Sequence, residues 1–210
     1  MASRPESTRF AAVLLAAGSS SRLGQPKQSV KISGDSLVRR AAMQLLKLNP
    51  VILIVVTGYG SDAVENGLHD LKLRIVKNEN WEQGIGSSIA CGARNVTEEV
   101  DGLLVALCDQ WRVDENDLNY LIATWSRDIS KIITASWQEN KSLFYGPPAL
   151  FPRNYIRELS ELAGNQGAKA LIAGNMDEVK FVEMKNAATD LDTPTDLEEL
   201  LRQAKLNPSN

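Results

Sequence analysis

The stretch Phe10-Ala-Ala-Val-Leu-Leu-Ala-Ala-Gly-Ser-Ser-Ser-Arg-Leu-Gly-Gln-Pro-Lys27 passes from an unbroken apolar run into a loop of small residues. Residues 10–16 show no polar alternation, which is typical of a strand that is covered on both faces in a parallel sheet. The loop that follows carries two cations, Arg22 and Lys27. Glycine and serine backbone N–H groups together with placed cations form a cradle for phosphate. The stretch therefore predicts a buried strand that ends at a phosphate-binding loop.

The spacing of this loop excludes two common phosphate motifs. The pattern GxxxxGK[ST] is absent, and Gly18 and Gly24 are too far apart for GxGxxG. A plain strand-to-helix connection is the alternative interpretation. Against it, Arg22 and Lys27 have no acidic neighbour in the loop, and an arginine binds phosphate through two parallel hydrogen bonds.

The composition of the chain is that of an average globular protein. The 210 residues are 43% hydrophobic and 23% charged, with a formal net charge of −3. We expect a short disordered tail at residues 1–8 and a single domain at residues 9–205. The scattered lysines and arginines argue against a nucleic-acid partner, and no apolar run approaches a membrane span. Without an export signal, Cys91 and Cys108 are expected to be reduced thiols, and the protein is expected to be cytoplasmic.

Strand and helix patterns alternate over the first 135 residues. Apolar runs predict strands at 10–16, 51–57, 73–76, 102–107, 131–136 and 179–183. Helical spacing and capping residues predict helices at 36–48, 61–70, 88–97, 114–125, 152–163, 168–173 and 194–204. The segment 137–151 contains Gly146-Pro147-Pro148 and is predicted to be irregular. The alternation predicts an α/β fold with three layers, α/β/α, around a mostly parallel twisted sheet.

Carboxylates follow the predicted strands at the edge where ligands of such sheets bind. Asp109 follows the strand 102–107, and Asp190 and Asp192 are two positions apart, so their side chains point the same way in an extended backbone. Magnesium takes one or two carboxylates, and phosphate oxygens and waters complete its shell. The alternative is that Asp109 caps a turn and that Asp192 caps the last helix.

A second glycine and serine loop lies at residues 80–88. Its amides and hydroxyls are suited to holding a nucleobase or a ribose, although Ser87 or Ser88 can equally cap the helix that follows. The lone histidine, His69, has no partner pattern for nucleophilic catalysis and is assigned no role.

Taken together, these segments resemble one known family. Leu15-Ala-Ala-Gly-Ser-Ser-Ser-Arg-Leu-Gly-Gln-Pro-Lys27 is similar to the opening signature of MobA-like NTP transferases. The resemblance spans residues 9–204 in the family's order through the segments 80–88, Cys108-Asp109-Gln110, 146–151, 164–171 and 190–196. The later segments are most similar to molybdenum cofactor cytidylyltransferases, and Ala17 resembles the branch that uses CTP.

The resemblance implies a Rossmann-like fold of the nucleotide-diphospho-sugar transferase type and a magnesium-dependent reaction. A phosphate of a molybdopterin-type acceptor attacks the α-phosphorus of CTP, or of another NTP, and pyrophosphate leaves. A molybdoenzyme of the xanthine dehydrogenase type is an implied partner. Such a transfer depends on positioning, charge neutralisation and metal more than on a protein acid or base.

The resemblance also implies roles for individual residues. Arg22 neutralises the leaving pyrophosphate, Lys27 stabilises charge on the α-phosphoryl group, and Asp109 holds Mg²⁺ with help from Asp192 or Asp190. The implied nucleotide-binding residues are Leu15, Ala16, Ala17, Gly18, Ser19, Arg22, Lys27, Gly86, Ser87 and Ser88. The segments 146–151 and 167–169 lie toward the second substrate.

Two positions depart from the family's pattern, and both bear on the acceptor. Trp111 stands where the family commonly has proline, and Asn165 stands where an acidic residue is common. A sugar or alditol phosphate is therefore an alternative acceptor. A non-catalytic carrier or chaperone of the molybdenum cofactor is a second alternative. A sugar-transferring enzyme usually has a DxD motif in mid-chain, and the DxD here is near the C-terminus.

Overall fold

The apolar strand at residues 10–16 lies inside a seven-stranded sheet. The structure is a computed structural model, and it describes residues 8–20 and 22–206. The predicted tail at residues 1–7 lies outside the described residues, whereas Thr8, which was assigned to that tail, is buried.

The strands and helices have the following bounds. The strands are β1 (Phe10–Ala16), β2 (Lys31–Ile32), β3 (Asp35–Ser36), β4 (Ile52–Thr57), β5 (Arg74–Lys77), β6 (Gly102–Leu107), β7 (Ile132–Glu139), β8 (Ser142–Pro152) and β9 (Val179–Glu183). The α-helices are α1 (Leu37–Lys47), α2 (Ser61–Leu68), α3 (Ile85–Arg94), α4 (Glu115–Trp125), α5 (Ile156–Glu161), α6 (Ala168–Gly174) and α7 (Pro194–Leu206). Short 3₁₀ turns lie at Lys27–Ser29, Trp81–Gln83, Arg153–Tyr155, Met176–Glu178 and Lys185–Ala188.

The order of strands in the large sheet is β5-β4-β1-β6-β8-β7-β9. The neighbours β5, β4, β1 and β6 are parallel, and β7 is parallel to β9, while β8 is antiparallel to both β6 and β7. The prediction of a mostly parallel sheet is confirmed, with β8 as the reversed strand.

Helices cover both faces of this sheet, which confirms the three predicted layers. Buried residues of α1, α2 and α4, including the fully buried Trp125, pack on one face. Buried residues of α3, α5 and α6 pack on the other. A smaller cluster joins Leu23, Leu191 and Leu200, and it fastens α7 to the loop that follows β1. Every residue of β1 is buried, which explains why its sequence shows no polar alternation.

The prediction for residues 137–151 was wrong. This segment is not irregular: it completes β7 and forms most of β8, and the two strands make an antiparallel hairpin. Proline cannot donate to a sheet, which is why Gly146-Pro147-Pro148 argued against a strand. The register jumps at this point, because Thr134 pairs with Ala149 and Ala135 pairs with Gly146. Pro147 and Pro148 therefore lie in a bulge, where β7 requires no N–H from them.

Helix α3 begins three residues before its predicted start at Ser88. Gly84 precedes it with φ of 111°, a conformation that favours glycine. Elsewhere the side chain of Ser36 caps α1 and that of Asp114 caps α4. Within the described residues, no helix has both the length and the apolar character needed to cross a membrane.

Candidate active site

The candidate site lies at the carboxyl ends of β1 and β6. From β1 the chain proceeds to β4 and β5 on one side, and it then places β6 on the other side. The loops that leave β1 and β6 therefore diverge and leave a crevice, which is where open α/β sheets bind ligands. Residues 17–27 leave β1 at this point, and Cys108-Asp109-Gln110 leaves β6.

Lys27 lies at the centre of a cluster of opposite charges in this crevice. Its Nζ donates to Asp109 Oδ2, and it also lies 3.0 Å from Asp192 Oδ1. Arg22 Nη2 donates to the other oxygen of Asp192 at 2.7 Å. The side chain of Arg22 is 71% exposed, whereas those of Lys27 and Asp109 are 20% and 10% exposed. The structure thus brings together the predicted catalytic residues Arg22, Lys27 and Asp109 and, besides Asp109, a second predicted metal ligand, Asp192.

The electrostatics of the cluster follow from burial and proximity. Burial disfavours the charged form of Lys27, but the adjacent Asp109 carboxylate and the Asp192 carboxylate together outweigh it, so the pKa of Lys27 is raised. Asp190 belongs to the same group, and desolvation by the cleft walls with repulsion from Asp109 and Asp192 raises its pKa to about 7. The N–H of Leu191 donates to the backbone carbonyl of Asp109 at 3.1 Å, which ties the 190–192 turn to Asp109.

The described residues contain no group of three or more His, Cys, Asp or Glu side chains arranged to hold a metal ion. The acidic oxygens at this site instead surround the Lys27 ammonium, and two carboxylates, those of Asp109 and Asp192, share that one cation.

The predicted nucleotide-binding residues of the first loop differ in their exposure to solvent. Leu15 and Ala16 are buried within β1, and Ala17 is buried with its carbonyl accepting a hydrogen bond from Tyr59 N at 3.1 Å. Gly18 is exposed, and a Cβ at this position would meet no atom within 4 Å. Together with the partly exposed Ser19, it is therefore the part of the loop that is open to a ligand.

The predicted residues of the second loop have internal partners. The amide of Asn78 donates to Ser87 Oγ at 2.9 Å and to Ser88 Oγ at 3.0 Å. Gly86 N donates to Gly164 O at 2.9 Å, and a Cβ on Gly86 would lie 2.6 Å from the carbonyl oxygen of Gln166. The glycine is therefore required for close packing against residues 163–166. Asn78, buried and central to this loop, was not predicted, although it directly follows β5.

Trp111 lies beside the carboxylate cluster, on the α7 side. Its backbone N–H donates to the carbonyl of Asp109 at 2.9 Å, and its ring packs against the cluster that contains Leu191 and Leu200. The guanidinium of Arg112 lies 4.9 Å from the centre of that ring. The residue that departs from the family's pattern therefore supports the wall that holds the 190–192 turn.

Comparison with known proteins gives a consistent picture. A family model described as the MobA-like NTP transferase domain matches residues 12–179. Nicotine blue oxidoreductase of Paenarthrobacter nicotinovorans is 28% identical over 194 residues, covering 90% of this chain and 95% of that protein. Purine catabolism protein PucB of Bacillus subtilis is 25% identical over 203 residues, with the same coverage of both chains.

A solved structure has the same fold. It is the crystal structure of a homologue of Mycobacterium tuberculosis Rv0371c from Mycobacterium sp. strain JC1, with a TM-score of 0.78 and 27% identity. The alignment covers 94% of this chain and 98% of the other.

Proposed function

Because the chain belongs to the MobA-like NTP transferase domain family and is an enzyme of the nucleotidyltransferase type, we propose that it transfers CMP from CTP to a molybdopterin-type acceptor. Pyrophosphate is the second product. The observation that carries this proposal is the convergence of Lys27 and Arg22 on Asp192, with Asp109 adjoining Lys27, beside the open backbone of Gly18.

The reaction requires charge control at two places. An oxygen of the acceptor phosphate forms a bond to the α-phosphorus of CTP, and the bond from that phosphorus to the oxygen bridging to the β-phosphorus breaks. Lys27, the more buried cation, is suited to the α-phosphoryl group, where negative charge is stabilised most strongly away from water. Arg22 is the exposed cation and is suited to the leaving pyrophosphate, which it can bind through two hydrogen bonds. The N–H groups at Gly18 and Ser19 complete the phosphate cradle.

The carboxylates fit a magnesium ion. Asp109 and Asp192 direct oxygens at a single cation, the Lys27 ammonium, and two carboxylates are what Mg²⁺ usually takes from a protein. Asp109 and Asp192 would hold the ion, and within the described residues Asp190 does not join them in a group of three. When bound, Mg²⁺ neutralises charge on the phosphate oxygens and orients them. Lys27, which adjoins both carboxylates, would remain the cation for the α-phosphoryl group.

Two features support the finer assignments. The Ala17-Gly18 pair resembles the CTP-using branch of the family, and Ser87 and Ser88, the residues assigned to the nucleoside by that resemblance, lie at the start of α3. On the acceptor side, Lys169 Nζ lies 5.3 Å from the centre of the Tyr145 ring. A flat aromatic surface next to a cation is suited to a planar, anionic acceptor of the pterin type.

The test is a matrix of nucleotides against acceptors. The purified chain is incubated with CTP, GTP, ATP or UTP, with and without Mg²⁺, and with molybdopterin, a sugar phosphate or an alditol phosphate. We expect pyrophosphate release for CTP with molybdopterin in the presence of Mg²⁺. Release only with a sugar or alditol phosphate would overturn the acceptor assignment and leave the chemistry in place.

Two other results would point to a different class of function. Tight retention of the molybdenum cofactor without consumption of any NTP would favour a carrier or chaperone that serves a molybdoenzyme of the xanthine dehydrogenase type. One relative is named nicotine blue oxidoreductase, so the matrix includes nicotine blue. Oxidation or reduction of that compound without pyrophosphate release would favour an oxidoreductase activity. A cytoplasmic location stays a prediction.

A further inference from the structure

Two buried glutamines directly follow the two members of the central ion pair. Gln28 follows Lys27 and Gln110 follows Asp109, and they are 1% and 7% exposed. Each side-chain amide donates to two backbone carbonyls that belong to other segments of the chain. A primary amide has two N–H donors, so each glutamine is matched to its pair of carbonyl acceptors.

Gln28 joins the loops that follow β1 and β4. Its Nε2 donates to Tyr59 O at 3.0 Å and to Gly18 O at 3.4 Å. In a trans peptide the carbonyl and the next N–H point in opposite directions. Because Gln28 draws the Gly18 carbonyl toward the interior, the N–H of Ser19 is directed away from it, toward the open side of the loop. Gln28 therefore orients the donor that faces a nucleotide phosphate.

Gln110 makes the corresponding connection on the other side of the ion pair. Its Nε2 donates to Pro147 O at 2.8 Å and to Ala187 O at 2.9 Å. Pro147 lies in the bulge of β8, and Ala187 belongs to the 3₁₀ turn that precedes the 190–192 carboxylates. Gln110 therefore fixes the bulge relative to the turn that carries Asp190 and Asp192.

We propose that Gln28 and Gln110 are positioning residues with divided roles, in which Gln28 sets the nucleotide half of the site and Gln110 sets the acceptor half. The assignment of the halves rests on the nucleotidyltransferase function proposed above. The division follows from the partners: Gly18 and Tyr59 border the phosphate loop, whereas Pro147 and Ala187 border the far side of Asp109.

The first experiment uses Gln28→Met and Gln110→Met, which keep the length of the side chain and remove its donors. Each variant is the matched control of the other, and exposed Gln138→Met is the control for the substitution itself. We expect Gln28→Met to raise KM for CTP about tenfold, the effect of roughly one lost buried hydrogen bond, with KM for the acceptor nearly unchanged. Gln110→Met should show the reverse. Equal changes in both KM values, or no change in either, would overturn the proposal.

The second experiment requires no turnover. Hydrogen–deuterium exchange of the free protein is measured on peptides that contain Gly18-Ser19 and on peptides that contain residues 145–152. Gln28→Met should accelerate exchange only in the first set, and Gln110→Met only in the second. If a methionine variant does not fold, the leucine variant, which is also uncharged and has no donor, replaces it. If the wild type releases no pyrophosphate but each variant accelerates exchange only in its own set of peptides, the proposed reaction alone is refuted. If the wild type turns over but either variant accelerates exchange in both sets, the positioning roles alone are refuted.

Discussion

The ammonium group of Lys27 lies against the carboxylate of Asp109, although 82 positions separate the two residues in the sequence. Lys27 comes from the loop after β1, and Asp109 follows the end of β6. Their contact therefore bridges the crevice between the loops that leave these two strands. Both side chains are mostly buried, so each neutralises the charge of the other where little water reaches them. The pair therefore links the stability of the site to its chemistry.

Replacing Lys27 by methionine is expected to reduce the rate of pyrophosphate release by about 10²- to 10³-fold, as loss of a preorganised charge at a reacting group does. The matched control is Lys31→Met, an exposed lysine four positions later, which should retain the wild-type rate. The measurement is steady-state pyrophosphate release at saturating CTP. A Lys27→Met enzyme with the wild-type rate would exclude Lys27 from the reaction.

Asp109→Asn is expected to leave the Lys27 ammonium partly buried without its main counter-charge. The free energy of unfolding should fall by about 1–3 kcal/mol, measured by urea denaturation, and activity should be lost. The double variant Lys27→Met/Asp109→Asn removes both charges, so it should recover much of the stability while remaining inactive. If the losses of stability in the two single variants simply add, the two groups are not coupled.

Gly18→Ala should separate folding from nucleotide binding. A Cβ at Gly18 would meet nothing within 4 Å, so the variant should unfold at the wild-type urea concentration. We expect a raised KM for CTP, because a methyl group would occupy the space through which a phosphate approaches the backbone.

Gly84→Ala is the contrasting change. Its Cβ would lie 2.6 Å from the carbonyl oxygen of Gly164, at a φ of 111°. This strain should reduce stability by roughly 1–3 kcal/mol. Gly174→Ala, at an open position, should be neutral in both assays. An unstable Gly18→Ala variant would contradict the openness of the loop.

The Arg39–Asp70 ion pair gives a prediction for acid pH. Arg39 donates to both oxygens of Asp70, at 2.6 and 2.8 Å, and these hydrogen bonds lower the pKa of Asp70 to about 2. A depressed pKa favours the folded state when the carboxylate is ionised, so the benefit is complete above its unfolded pKa of about 4 and declines toward pH 2. The difference in thermal midpoint between wild type and Asp70→Asn should therefore be constant from pH 7 to 5 and shrink below pH 4. A difference that grows on acidification would contradict this sign.

Apolar runs and helix caps were sufficient to predict most of the sheet. β1, β6 and β9 have the predicted bounds, because runs that are buried or bordered by turns leave an unambiguous pattern. β8 was missed because the rule against proline in strands applies to residues that must donate to a neighbour. Pro147 and Pro148 lie in a bulge, where they need not donate a hydrogen bond to the neighbouring strand. The bulge depends on pairing with a separate segment, so the local sequence does not indicate it.

The charged residues of the site were predictable, and its internal supports were not. Arg22, Lys27 and Asp109 stand at strand ends in recognisable motifs, and the structure brings them together with Asp192. Ser87 and Ser88 carry the right chemistry for a ligand, yet their hydroxyls accept hydrogen bonds from Asn78. Their partners depend on how loops pack, and a sequence pattern does not contain that information.

The reversed strand β8 separates the parallel strands of the large sheet into two blocks. One block, β5-β4-β1-β6, holds the phosphate loop, and the other, β7-β9, is joined to it through β8, which is antiparallel to both β6 and β7. Outside residues 163–166, which pack against Gly86, we expect substitutions within residues 132–183 to leave the register of the first block unchanged. Chimaeras that exchange residues 132–152 and 179–183 between this chain and a relative should therefore fold and keep the nucleotide preference of the parent that supplies β1. Families built this way can change acceptors while retaining one donor.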